Sequence, residues 1–165
     1  MRKILLAALA LFMPFNANAA CMDSDAAAAE AAIKVHSELM VIAVTCKYGP
    51  GNVSLFDLYG NFGKRNNAAL RTAESNIVRY YKSNGKAGIP DLDRLRTQMG
   101  NKYSTEASFY DTQQWCNTVA PKLIQAAYWT PGQFQQASAE RARAESSLPI
   151  CGGVAVQTVA ASVDR

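Results

Sequence analysis

The side chains that could perform catalysis in this sequence are one histidine and a scattered set of carboxylates. His36 is the only histidine, and its imidazole has an ordinary pKa near neutrality, which suits a general base. Helical spacing supplies no nucleophile on its own face, because Ser37 is adjacent to it rather than three or four residues away. We therefore expect His36 to be a solvated or hydrogen-bonded structural residue, and its replacement by glutamine to leave fold and function intact.

Six carboxylates could supply the two acids that glycoside hydrolysis requires, one to protonate the leaving group and one to attack or to activate water. Nothing in their spacing brings any two of them together. Asp91 and Asp93 also fit the first turn of a helix, where they face the helix dipole. A small hydrolase of cell-wall glycan is therefore the alternative to a binding protein. The six are Asp57, Glu74, Asp91, Asp93, Glu106 and Asp111.

Basic residues are concentrated on one predicted helix and the loop after it, between Lys64 and Lys86. A basic face of this kind can meet anionic lipid head groups or cell-wall polymers, although a plain solvated face has the same composition. Two adjacent aromatic pairs, Tyr80–Tyr81 and Tyr128–Trp129, must each turn one ring away from a shared helical stripe, and exposed rings mark partner surfaces. The candidate binding surface consists of Lys64, Arg65, Arg71, Arg79, Tyr81, Lys82 and Trp129.

The four cysteines predict two disulfides, because an even number in an exported chain is typical of a disulfide framework. No Cys-x-x-Cys motif is present, so a thioredoxin-type redox site has no support. The widely spaced cysteines and the single histidine do not form the pattern of a zinc site. We expect no metal and no cofactor.

Helix geometry selects among the three pairings that four cysteines allow. Cys21 and Cys46 lie near opposite ends of the first predicted helix, on the order of 35 Å apart, whereas a disulfide needs Cα atoms within about 7 Å. Cys46 lies at the C-terminal end of that helix. In an up-down bundle the third helix runs parallel to the first, and from its start near Asp91 it reaches the level of Cys46 at Cys116. The predicted bridges are therefore Cys46–Cys116 and Cys21–Cys151.

The first 20 residues have the pattern of a secretory signal peptide. A basic start precedes the apolar run Ile4–Phe15, which is shorter than the roughly 20 residues of a membrane-spanning helix. Cleavage there leaves Cys21 at or next to the new N-terminus, so a lipoprotein is the alternative. Asn18 stands where lipoprotein signals usually carry leucine, which favours a periplasmic or secreted protein without the lipid.

The remaining chain predicts one helical domain over residues 21–153, followed by a flexible tail over residues 154–165. Apolar residues at steps of three or four indicate long helices that must pack on one another. The clearest stripe is Tyr59, Phe62, Asn66, Ala69, Ala73, Ile77 and Tyr80. We predict an all-α fold, an antiparallel three- to four-helix up-down bundle with two disulfides.

Two details of this bundle follow from local signals. The third helix, from about Pro90 to Ala127, should bend or break at Pro121, which lacks an N–H and crowds the preceding turn. The last helix begins at Thr130–Pro131, a good cap and first residue. Because Phe134 is its only large apolar residue, we expect that helix to lie on the surface or to fray.

Several short motifs spread over the middle half of the chain resemble a family of small exported helical proteins of Gram-negative bacteria. The resemblance implies export and agrees with a Cys46–Cys116 bridge, but it implies no activity and no catalytic residues. The motifs are Thr45-Cys46-Lys47, Leu58-Tyr59-Gly60-Asn61-Phe62, Arg65, Leu70, Tyr80-Tyr81, Asp91, Thr97 and Trp115-Cys116.

These observations favour an exported, periplasmic, non-enzymatic helical protein that binds a component of the cell envelope or assists there. Its partner would be an envelope protein, an envelope polymer or a membrane surface. Without Arg2 and Lys3 of the signal peptide the net charge is only weakly positive, which is too little to indicate nucleic acid.

Overall fold

The structure, a computed structural model, describes residues 21–152. The predicted signal peptide and the whole of the predicted tail lie outside these residues. Two-residue strands, β1 Tyr48–Gly49 and β2 Val53–Ser54, pair antiparallel in the link that follows the first helix. The helices are α1 Ser24–Cys46, α2 Leu55–Ser83, α3 Ile89–Ser108, α4 Thr112–Ala126 and α5 Pro131–Glu145.

The all-α class is confirmed, with five helices among the described residues instead of three or four. None of these helices is long and apolar enough to cross a membrane.

α1 is the central helix, and each of the other helices contacts it. Its alanine-rich first half has a high helix propensity, and the Asp23 carboxylate accepts a hydrogen bond from the Ala26 N–H at 2.8 Å. Asp23 is therefore the N-cap of α1. Buried side chains lie all around α1 and include the charged Glu30 and Lys34, which is the pattern of a helix enclosed by others.

α2 buries the stripe that its sequence predicts. Phe62 and Ile77 are fully buried, Asn66 lies between them in the same row, and Tyr59 and Ala69 pack against the core at its edge. The Ser54 hydroxyl caps the helix by accepting a hydrogen bond from the Asp57 N–H at 3.2 Å. The periodic spacing therefore determines both the helix and its inward face.

The predicted third helix is two helices, and the expected break at Pro121 is wrong. The chain leaves helical geometry after Ser108, and α4 starts behind Asp111, whose carboxylate accepts hydrogen bonds from the Gln113 and Gln114 N–H groups at 3.0 and 3.1 Å. Pro121 lies within α4 on an exposed face. The carbonyl that it leaves unpaired is there open to water, so the proline does not end the helix.

The expected surface position of α5 is also wrong. Thr130 caps the helix as predicted, in a capping box with Gln133. Phe134, Ser138 and Ala142 are nevertheless buried at steps of four, and Phe134 is 1% exposed. One large residue followed by small ones lets α5 lie close to α1, which large apolar residues along its whole length would prevent.

Both disulfides have the pairing that helix geometry predicts. The Cα atoms of Cys46 and Cys116 are 5.4 Å apart, and those of Cys21 and Cys151 are 5.1 Å apart. The second bridge is accompanied by backbone hydrogen bonds on both sides of Met22, to Pro149 and from Cys151. Because the Cys21 sulfur is used in this bridge, the disulfide-bonded chain has no Cys21 thiol for a lipid.

Candidate functional site

His36 lies on α1 in contact with the first turns of α2. Its Nε2 is 2.8 Å from the Tyr59 hydroxyl, and its ring stacks on those of Tyr59 and Phe62 with centroids 5.5 and 6.4 Å away. Burial lowers the pKa of His36, the charge of Glu74 opposes that effect and the charge of Arg96 adds to it. Burial also raises the pKa of Tyr59, so both partners are neutral at pH 7 and form a structural hydrogen bond.

Replacing His36 by glutamine is expected to lower the free energy of unfolding by about 1 kcal/mol, the typical value of one hydrogen bond. The variant should also lose part of the pH dependence of stability. Because the folded-state pKa is lowered, the contribution of neutral His36 is complete above about pH 6.5 and is lost as the pH falls toward the folded-state pKa. Urea unfolding at a series of pH values between 5 and 7.5 measures both effects.

Tyr59→Phe is the matched control, because it removes the same hydrogen bond and leaves the imidazole to titrate. A His36→Gln variant with the same stability-against-pH slope as the unaltered chain would contradict this account of His36.

Five of the six candidate carboxylates are used in helix caps or ion pairs. Asp91 accepts a hydrogen bond from the Gly88 N–H and pairs with Arg94, and Asp111 caps α4. Glu106 pairs with Lys102 at 3.8 Å, and Asp57 lies exposed in the first turn of α2.

Only Glu74 and Asp93 meet, and they do so on opposite nitrogens of the Arg96 guanidinium. Both carboxylates are directed at the same guanidinium, which is not the arrangement of two acids on either side of a glycosidic bond. Neither of two cavities among the described residues, of about 150 and 390 Å³, is lined by two of the six carboxylates. The hydrolase hypothesis gains no support from this arrangement. Within residues 21–152, no three histidine, cysteine or acidic side chains cluster as metal ligands do.

A half-buried polar cluster centred on Glu38 of α1 escaped the sequence analysis. Glu38 binds Lys122 of α4 with one carboxylate oxygen and Arg141 of α5 with the other. Arg141 also donates to the Tyr103 hydroxyl of α3 at 2.8 Å. Burial alone would raise the pKa of Glu38, but the hydrogen bonds from Lys122 and Arg141 outweigh it and the pKa is lowered. Three helices therefore meet at one carboxylate, and α3 joins them through Arg141.

A second buried pair on α1 holds the end of α5. Lys34 lies 3.0 Å from the Glu30 carboxylate and donates to the Glu145 carbonyl at 2.6 Å, while the Ser147 hydroxyl donates to Glu30 at 2.9 Å. One signal in the sequence could have revealed both clusters, since Glu30, Lys34 and Glu38 stand four residues apart on an otherwise apolar helix. Charges in such a row must find partners when their helix is buried.

The candidate binding surface is only partly continuous. Four of its residues, here called the cationic row, lie on the exposed side of α2: Lys64, Arg71, Arg79 and Lys82. At 3.6 residues per turn they fall within a quarter of the helix circumference over about 27 Å. Arg65 is exposed on a neighbouring face, and its guanidinium donates to the Tyr128 carbonyl at 3.0 Å.

The two aromatic residues of the candidate binding surface are less exposed than predicted. Tyr81 is only 8% exposed, so it cannot contact a partner at the surface. Burial and the charges of Glu30 and Asp91 raise its pKa to about 12. The expectation that one ring of the Tyr80–Tyr81 pair turns outward is wrong, because both rings are buried where α2 packs with α1 and α3. Trp129 is half-buried and meets the Phe62 ring edge-on at 6.5 Å.

The cationic row has no counter-ions among the described residues, a property it shares with Lys47, Arg65, Lys86 and Arg143. Within residues 21–152, none of its four members is in an ion pair, and Arg79 donates only to the neutral Asn76 amide. The basic residues that do form ion pairs lie on other helices: Lys34, Arg94, Arg96, Lys102, Lys122 and Arg141. Glu74, the only acidic residue of α2 beyond its first turn, is engaged by Arg96 of α3.

Comparison with known proteins finds no matching family model, no similar curated protein and no similar solved structure. The resemblance to a family of exported helical proteins therefore stays a prediction. What the chain does must be inferred from the chemistry of its own surfaces.

Proposed function

We propose that this protein is an exported, periplasmic, non-enzymatic binding or accessory protein of the cell envelope, and that the cationic row of α2 binds an anionic component of that envelope. The observation that carries the proposal is that four exposed cations follow one side of α2 without a counter-ion among the described residues, whereas every basic residue on the other helices except Arg143 is paired. Unpaired cations keep their full charge for an external anion.

The shape of the row suits a flat or linear anion. Lys64, Arg71 and Lys82 are seven and eleven residues apart, close to two and three whole turns, so their side chains leave α2 in nearly the same direction. The side chains between them, such as Ala68 and Ser75, are small. A lipid surface or an extended anionic polymer can therefore approach several cations at once.

The two disulfides support export, because disulfides persist in oxidising compartments and are rare in the cytosol.

We also propose that α1, α2 and α3 form an up-down bundle and that α5 lies across α1. The short links between the first three helices support the up-down arrangement. The crossing of α1 by α5 is supported by the contacts of α5: it begins against α2, where Phe134 meets Phe62, and ends beside α3, where Arg141 meets Tyr103.

The test is binding of the variant Arg71→Gln/Lys82→Gln to vesicles that contain phosphatidylglycerol and to isolated cell-wall sacculi. Each basic residue near an anionic lipid surface contributes about 1 kcal/mol, so removing two is expected to weaken vesicle binding about 30-fold. Binding of the unaltered chain should weaken as salt is added, because salt screens exposed charges. Co-sedimentation at several salt concentrations measures both effects.

Lys47→Gln/Arg143→Gln is the matched control, because it removes two exposed cations that lie off the row and gives the same net charge. The control should bind like the unaltered chain. Equal binding by both double variants, or no binding of the unaltered chain to either probe, would overturn the proposal.

A further inference from the structure

A groove of about 390 Å³ lies between the end of α3 and the first turns of α4, away from the cationic row. Its volume falls in the range of small-molecule sites. Three aromatic side chains line it, Phe109, Tyr110 and Trp115, together with the Glu106 carboxylate and the Gln114 amide. Phe109 is 77% exposed and Tyr110 is 58% exposed, although exposing large rings to water is unfavourable.

The groove is held in place from both sides. Trp115 packs partly against the core and precedes Cys116, which is bonded to Cys46 of α1. The link that carries the two exposed rings is fixed by the Asp111 cap of α4 and by a hydrogen bond of 3.3 Å from the Phe109 N–H to the Glu106 carbonyl. A ligand would therefore meet rings whose backbone is already positioned, which lowers the entropic cost of binding.

The lining has one acidic residue and no basic residue. Lys102 approaches Glu106 only at 3.8 Å, and both side chains are half exposed in that pair, so the ion pair is weak. Aromatic faces carry negative potential and attract cations, above all quaternary ammonium groups, which shed water easily and donate no hydrogen bonds. We propose that this groove binds a small organic cation with a quaternary ammonium group, held by the three rings and by Glu106.

This site does not involve the cationic row, because none of the four residues lines the groove and their positive charges would repel a cation. The probe is choline, titrated by calorimetry and by tryptophan fluorescence with sodium chloride at equal ionic strength as the blank. The expected dissociation constant is on the order of millimolar. The neutral isostere 3,3-dimethylbutan-1-ol, in which carbon replaces the ammonium nitrogen, should bind at least tenfold more weakly.

Three variants of exposed side chains test the groove without disturbing the core. Phe109→Ala and Tyr110→Ala should each weaken choline binding at least threefold, and Glu106→Gln should do the same by removing the charge. Glu140→Gln, an exposed acid on α5, is the control and should leave the affinity unchanged. The proposal is overturned if choline does not bind, or if an uncharged molecule, the isostere or glucose, binds as tightly as choline. It is also overturned if the three variants bind choline like the unaltered chain.

Discussion

Replacing Cys46 and Cys116 together by alanine is expected to lower the free energy of unfolding by about 4 kcal/mol. The two residues are 70 positions apart, and closing a loop of that length in the unfolded chain accounts for this amount in the chain-entropy model. The bridge ties the last residue of α1 to the second turn of α4, so its loss affects the packing of both helices. Urea unfolding of the oxidised chain and of the double variant measures the difference.

Breaking Cys21–Cys151 by the same substitutions is the comparison. That bridge joins segments outside the helices, which are also held by the hydrogen bonds of Met22 and by the Ser147–Glu30 contact. Local opening near residues 146–151 should therefore precede any loss of the helices, and hydrogen exchange should increase there first. If removing Cys46–Cys116 left the urea midpoint unchanged, the central position of that bridge would be contradicted.

Phe134→Ala is expected to destabilise the domain by about 3–5 kcal/mol, the range for deleting a fully buried aromatic ring. The Phe134 ring meets the Phe62 ring edge-on with centroids 5.2 Å apart, and the small residues that follow it on α5 cannot fill the space it would leave. Thermal and urea unfolding measure the loss. The same substitution at Phe109, which is 77% exposed, should change stability by less than about 0.5 kcal/mol.

The two phenylalanine variants separate two descriptions of α5. A frayed surface helix, as its composition indicates, would tolerate Phe134→Ala as easily as Phe109→Ala. A large loss for Phe134→Ala alone requires α5 to be part of the core.

The cationic row could be predicted from the sequence only in part. The spacing of Lys64, Arg71 and Lys82 along one helix face is visible in the sequence, because it depends only on helix period. Whether each cation has a counter-ion depends on neighbouring helices. Arg96, equally basic, is neutralised by Glu74 across the α2–α3 contact.

The groove between α3 and α4 also could not be predicted from the sequence. Phe109, Tyr110 and Trp115 are close in sequence, but one unbroken helix over this stretch would place them on different faces. The break at Asp111, which the stronger signal of Pro121 obscured, brings them around one concave surface.

The sequence by itself determined the features that depend on short-range caps and on the period and rise of a helix. These are the helical class, the inward stripe of α2, the cap at Thr130 and, through the rise per residue of a helix, the pairing of the four cysteines. Only the tertiary structure decided the central position of α1, the burial of α5 and the convergence of Lys122 and Arg141 on Glu38. The reason is that local spacing sets backbone geometry and helix faces, whereas ion pairs and ring contacts depend on distances between residues that the chain brings together only when all five helices have packed.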